Sequence, residues 1–223
     1  MWRRFLLVVA FFWGVPTLPA QPVQAVGYVN MSILPGYNFI ANPLSLDDNR
    51  ISTIFHSPLP DGFAVLLFNG TGFERAVFNA ATGQFEPAEL ADVILAPGTG
   101  FVVHNPAAQF TITLVGTILQ GELSKPMPAG ISLQASMTVR QGTLESMEFP
   151  IRPGEQVYLF DERTQRFTVY IFDDLEMRWL PSVPRLEVGE SFFVRLLEPR
   201  VWTQTFYATQ IQSGPQESRG PAN

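Results

Sequence analysis

The 223-residue chain contains no cysteine. It therefore has no disulfide, no thiolate nucleophile and no lipid-anchored thiol, and must hold itself together by its core. Lysine is nearly missing as well: of 14 basic residues, Lys125 alone is lysine. With 20 acidic side chains the net charge is −6, so the basic surface that nucleic acid or an anionic membrane requires is not there. There are two histidines, His56 and His104, and neither sits in an H-x-x-x-H or H-E-x-x-H setting that would hold a metal. No serine lies in a G-x-S-x-G elbow, so a hydrolase of the usual α/β type lacks its nucleophile. Long apolar runs are scarce too. The one from Phe5 to Trp13 is well short of the roughly 18 residues of a membrane helix, and no second stretch approaches that length.

Arg3 and Arg4 precede this run and Gly14 and Pro16 follow it. That order, ending in Val23 and Ala25, is that of a secretory signal peptide over residues 1–25, with Ala20 as second-choice cleavage site. A secreted, periplasmic or cell-envelope location is expected, with no integral membrane segment in the mature chain. Without the two leader arginines the net charge falls from −6 to −8. The last stretch, 209–223, has no periodic apolar residues and reads as a disordered tail.

What is present is a chain written twice. Displaced by 94, Gly27 falls on Gly121, Gly36 on Gly130 and Ala41 on Ala135. With offsets drifting between 91 and 94, Gly62 meets Gly154, Val65 Val157, Phe68 Phe160, Phe73 Phe167 and Phe78 Phe172. Leu95, Gly98, Phe101 and Val103 then meet Leu186, Gly189, Phe192 and Val194, and Thr113 meets Thr205, which sets Trp202 on Phe110. Between the paired phenylalanines, N-G-T-G in one copy stands against D-E-R-T-Q-R in the other, as expected of hairpin loops. Phe167, Val169 and Ile171 alternate with Thr168, Tyr170 and Phe172, a period of two that belongs to strands. The pattern predicts an all-β protein of two homologous tandem repeats of short antiparallel strands, 26–117 and 118–208, each a small sandwich or partly open barrel. Single helical turns are expected at 51–55 and 143–149.

The stretch L-A-P-G-T-G-F-V-V from Leu95 to Val103 has the look of a phosphate loop. A Walker loop needs Gly-Lys-Ser/Thr after its turn, whereas Phe101, Val102 and Val103 follow Gly100. The second copy, L186-E-V-G-E-S-F-F-V194, keeps the turn and the Phe-x-Val but has Ser191 in place of Gly100. Turn and buried strand are the expected role.

Together with G36-Y-N-F-I-A-N-P43, this stretch resembles a repeat found in many uncharacterised secreted bacterial proteins, of the form Gly-aromatic-Asn-Leu-Ile-x-Asn-Pro, then an aromatic-rich hairpin, then Leu-x-Pro-Gly-x-Gly-Phe-x-Val. The resemblance covers nearly all of the chain between leader and tail. It implies export, a β-rich fold and a role at or outside the cell envelope. The second copy departs from it, since G130-I-S-L-Q-A-S136 lacks the Asn-Pro pair, so a binding role for Asn42 and Pro43 would belong to the first copy alone.

For chemistry, carboxylate pairs that a glycosidase could use are Asp47 with Asp48, Glu86 with Glu89, and Asp173 with Asp174 and Glu176. Neighbours on a strand point apart and turn carboxylates cap backbone N–H groups, so hydration or capping is the default, and the last group matches no EF-hand spacing. Aromatic rings suit sugar faces better. Most of the 19 phenylalanines, and Trp202 with them, are expected in the core. Trp179, after an acidic stretch and without an aromatic counterpart in the other copy, is expected at the surface. Trp179, Tyr37 and Asn42 are thus the candidate ligand residues. No catalytic, metal or cofactor residues are assigned. The expected role is a non-catalytic structural or interaction protein outside the cell, with polysaccharide or an envelope protein as candidate partner and self-association through exposed strands open to it. The alternatives are a carbohydrate-binding module using exposed aromatics and, third, a hydrolase with paired carboxylates in a cleft between the repeats.

Overall fold

The computed structural model describes residues 25–208 apart from Asp47 and Ser57. Residues 1–24, most of the expected leader, and 209–223, the expected tail, fall outside the described residues. In the first repeat, β1 (Val26–Ile33) pairs antiparallel with β7 (Phe110–Thr117). A five-stranded sheet runs in the order β2 (Gly36–Ala41), β6 (Gly100–Asn105), β3 (Ala64–Phe68), β4 (Phe73–Asn79), β5 (Gln84–Glu86). In the second, β8 (Gly121–Met127) pairs with β16 (Arg200–Phe206), and the sheet order is β9 (Gly130–Ala135), β15 (Ser191–Leu196), β11 (Gln156–Asp161), β12 (Arg166–Phe172), β13 (Trp179–Leu180). Strand for strand the topologies coincide. The short pair β10 (Gly142–Thr143) and β14 (Arg185–Leu186) answers the Arg50–Ile94 bridge of the first repeat. One predicted helical turn is α1 (Ile51–Ile54), an unpredicted one is α2 (Ala88–Ala91), and 143–149 forms hydrogen-bonded turns instead.

The period of two decides what goes inside. In the first repeat Val65 and Val103 of the sheet meet Ile33, Ile112 and Leu114 of the ribbon; in the second Val157 and Val194 meet Met127 and Trp202. Each repeat is therefore a ribbon laid over a sheet, with its own core and no barrel closure. Fully burying each such side chain contributes about 1.5–3 kcal/mol. The registers correct the end of the sequence match. Met31 pairs with Ile112 and Lys125 with Trp202, so Trp202 corresponds to Ile112 and Arg200 to Phe110.

The repeats pack about an approximate two-fold axis. Isolated bridges join Ile40 to Glu190 and, reciprocally, Gln134 to Thr99. Near the axis equivalent residues meet each other: a Cβ on Gly100 would lie 3.0 Å from the Cβ of Ser191 and 3.0 Å from the Gln134 carbonyl. The second glycine of P-G-T-G is thus a seam residue, and Ser191 has a side chain because Gly100 has none. The hairpin phenylalanines complete the seam. Phe39 stacks on Phe160 at 4.6 Å, and Phe68 meets Phe193 edge-on at 5.0 Å. The longer hairpin loop of the second copy docks rather than dangles: Tyr37 N–H donates to Gln165 Oε1 (2.8 Å) and Gln165 Nε2 to the Tyr37 carbonyl (2.9 Å). Gly36, at φ 91°, leaves room for that amide, since a Cβ there would fall 2.7 Å from Gln165 Oε1.

The sole lysine lies at this seam, where the first repeat has Met31. Lys125 Nζ donates to the carbonyls of Gly98 (2.5 Å) and Ala135 (2.6 Å), one from each repeat, and sits 4.9 Å from the Trp202 ring centre. Across the axis the backbone bond Ala41 N–H to Gly189 carbonyl (2.7 Å) does similar work. Burial pushes the Lys125 ammonium down to about 7 from 10.5. Between those values the unfolded chain binds a proton that the folded one does not, so stability rises with pH across that window. Lys125→Met is expected to abolish that rise. The check is urea unfolding at neutral and at alkaline pH, and a rise that survives the substitution overturns the assignment.

Candidate functional site

A cleft of about 630 Å³ opens along the seam. Strands β1 and β2 supply one wall, including Asn30, Ser32 and Phe39; the β11–β12 loop and the turn before β15 supply the other, including Phe160, Glu162 and Glu190. The same packing that joins the repeats thus builds the pocket, and neither repeat has it alone.

Glu162 and Glu190 are the chemically distinctive groups. Glu190 reaches the cleft from a turn closed by its own carboxylate, which accepts the Glu187 N–H at 2.8 Å. Burial raises it to about 7, the Glu187 N–H opposing and the Glu187 charge adding to the rise. Burial likewise raises Glu162 to about 7, reinforced by the charge of Glu190 and opposed by the Phe39 N–H. Asp161 beside it behaves oppositely. The N–H groups of Thr164 (3.1 Å) and Arg163 (2.8 Å) bind its exposed carboxylate and lower its pKa. The cleft thus sets two carboxyls raised by burial beside Phe39, Phe160 and the uncharged groups of Asn30, Ser32 and Gln109, with Asp161, Arg163 and Glu187 also on its lining.

The residues expected to bind ligand lie elsewhere. Trp179, expected at the surface, is 3% exposed: β13 pairs it with Phe172, on which it packs at 5.6 Å. Its counterpart is Phe85, paired with Phe78 at the same seven-residue spacing. Asn42 is buried in a turn, donating to Asn49 Oδ1 (2.9 Å) and the Leu95 carbonyl (3.2 Å) and accepting from the Leu44 N–H (3.1 Å). Tyr37 remains 46% exposed, its ring 4.9 Å from His104 and its backbone held by Gln165. Of the carboxylates singled out from sequence, Asp173 caps the N–H groups of Leu175 and Glu176, Glu176 pairs with Arg178, and Glu86 accepts from Asn79. Asp48 pairs with Arg50, and Asp47 is outside the described residues. Glu162 and Glu190 went unremarked because nothing local marks them; two loops of one repeat bring them to a shared wall.

Among the described residues no group of three or more His, Asp or Glu side chains is placed to hold a metal, and no helix is long and apolar enough to cross a membrane. The chain matches no protein-family model, no curated protein and no solved structure.

Proposed function

We propose that the protein is an exported, non-catalytic interaction protein of the cell envelope or extracellular space, and that the cleft between its repeats is its contact site. The observation that carries this is the cleft itself: both repeats build it, and its walls bring Phe39 and Phe160 together with Asn30, Ser32, Glu162 and Glu190, a mixed apolar and hydrogen-bonding surface that suits contact with a partner. The signal-like N-terminus and the resemblance to secreted tandem-repeat proteins support the location.

A second reading has its own support. Phenylalanine walls beside Asn30, Ser32 and Gln109 combine apolar faces with uncharged hydrogen-bonding groups, the chemistry that a sugar ring takes up. A polysaccharide pull-down and glycan screen on the purified chain, with Glu162→Gln/Glu190→Gln and Phe160→Ala variants alongside, separates the two. Saturable glycan binding lost in both variants, without cleavage, makes the protein a carbohydrate-binding module. Binding of an envelope protein lost in the same variants supports the interaction reading. Glycan cleavage that Glu162→Gln removes would overturn both in favour of hydrolysis.

A further inference from the structure

Asn69 is the one asparagine of the chain that glycine follows. It opens the N-G-T-G loop between β3 and β4, and both Asn69 and Gly70 are exposed. Three donors converge on its side-chain oxygen: the N–H of Thr71 (3.2 Å), the hydroxyl of Thr71 (3.1 Å) and the N–H of Gly72 (3.0 Å). They polarise the amide and stand where negative charge gathers when its carbon is attacked, as an oxyanion hole does. The Gly70 nitrogen is the nearest nucleophile along the chain, and among the described residues its N–H donates to no backbone partner. A Cβ on Gly70, at φ 99°, would meet nothing within 4 Å, so neither water nor a new ring is crowded there. Asn79 is the internal control. It heads a similar turn, its oxygen accepting the N–H groups of Ala81 (3.0 Å) and Thr82 (3.4 Å), but Ala80 follows it and sets a methyl beside the nitrogen that would attack.

We infer that Asn69 is a self-modification site, which converts to aspartate and isoaspartate with loss of ammonia. Base takes the Gly70 N–H proton and the nitrogen bonds to Asn69 Cγ. The bond from Cγ to the side-chain nitrogen then breaks, and that nitrogen leaves as ammonia once it has taken a proton back. One water opens the cyclic imide. Attack at Cγ leaves aspartate in the original main chain, whereas attack at the main-chain carbonyl carbon leaves isoaspartate, with the chain routed through Cβ and Cγ. Nothing but water is consumed. The second repeat shows what aspartate does here: Asp161 stands in place of Asn69, and its carboxylate takes the N–H groups of Arg163 (2.8 Å) and Thr164 (3.1 Å). Conversion to aspartate therefore keeps the cap and moves the net charge from −6 to −7. Isoaspartate instead lengthens the N-G-T-G loop, whose flanking Phe68 and Phe73 both pack on Phe193 across the seam, at 5.0 and 6.2 Å. The site lies outside the cleft and stands whatever the cleft binds.

The folded chain, held in mildly alkaline buffer and followed by peptide mass mapping over weeks, is expected to convert at Asn69 first and to leave Asn79 intact. Thr71→Val, which removes one of the three donors, is expected to slow the conversion severalfold. Asn69→Gln is expected to abolish the mass gain in that peptide. Asn69→Asp is expected to melt with the wild type, as Asp161 already works in the equivalent loop. Asn69 that persists in the folded chain while the same chain in urea converts, an Asn79 that converts as fast, or a Thr71→Val rate equal to that of the wild type overturns the inference.

Discussion

Glu155→Ala is expected to lower the unfolding free energy by about 3–5 kcal/mol, because it strands a buried arginine. Glu155 is fully buried, and its Oε1 takes Arg200 Nη2 (2.5 Å) and the Leu197 N–H (2.9 Å) while Oε2 takes the Arg152 N–H (2.9 Å). The first repeat solves the same place without charge. Phe63 stands where Glu155 does and Phe110 where Arg200 does, their rings 5.9 Å apart. The donors change with them: Arg152 and Leu197 correspond to Pro60 and Pro106, which have no N–H to satisfy. An aromatic pair between two prolines has been exchanged for an ion pair between two N–H donors. Glu155→Phe with Arg200→Phe is therefore expected to remain destabilised, by about 1–3 kcal/mol for each orphaned N–H. Adding Arg152→Pro and Leu197→Pro is expected to recover most of that loss. Urea unfolding of the three variants checks this, and a paired variant as stable as the fourfold one would refute it.

The same comparison shows what the sequence made legible. Matching glycines and valines set the strands, their order and their inward faces, since period and turn chemistry are local properties. Mismatches were harder to read. Nothing local marks Glu155, beside the matched Gly154, as a core position, although Phe63 beside Gly62 occupies the equivalent one. Ser191 against Gly100 looked like a variant turn, and D-E-R-T-Q-R like tolerated length, because both owe their identity to the other repeat across the seam. Trp179 was misplaced for want of one more step at the same offset of 94, which sets it on Phe85. Alternation tells which face of a strand is apolar but not what covers it, so the hairpin phenylalanines could not be told from ligand aromatics, nor Glu162 and Glu190 from solvated loop residues.

Stability is expected to fall as pH rises from about 4.5 to about 7, and the cleft carboxyls cause it. Glu162 and Glu190 keep their protons in the folded chain up to about 7 but lose them near 4.5 when it unfolds. Over that interval the native state binds more protons, so the slope of unfolding free energy against pH is negative. Each pKa unit is worth about 1.4 kcal/mol at full burial. Both groups are partly open to solvent, which screens them, so the two together are expected to cost roughly 2–4 kcal/mol by neutrality. Above 7 the sign reverses, because Lys125 sheds its proton in the folded chain first and stability recovers toward 10.5. The profile thus has a minimum near neutral pH. Glu162→Gln with Glu190→Gln is expected to flatten its acid limb and leave the alkaline limb that Lys125→Met removes. The weakening should be local as well as global. Ionising both carboxyls sets like charge side by side on the cleft wall that the second repeat turns toward β2, with Asp161 and Glu187 adding to it, and only the Phe39 N–H bond to Glu162 gains by it. Exchange protection at the Tyr37 and Ala41 amides, which bond across the seam to Gln165 and Gly189, should therefore drop between pH 5 and 7 more than at Val65 in the core. A monotonic profile, or equal loss of protection in core and seam, would mean that the carboxyls titrate without straining the joint between the repeats.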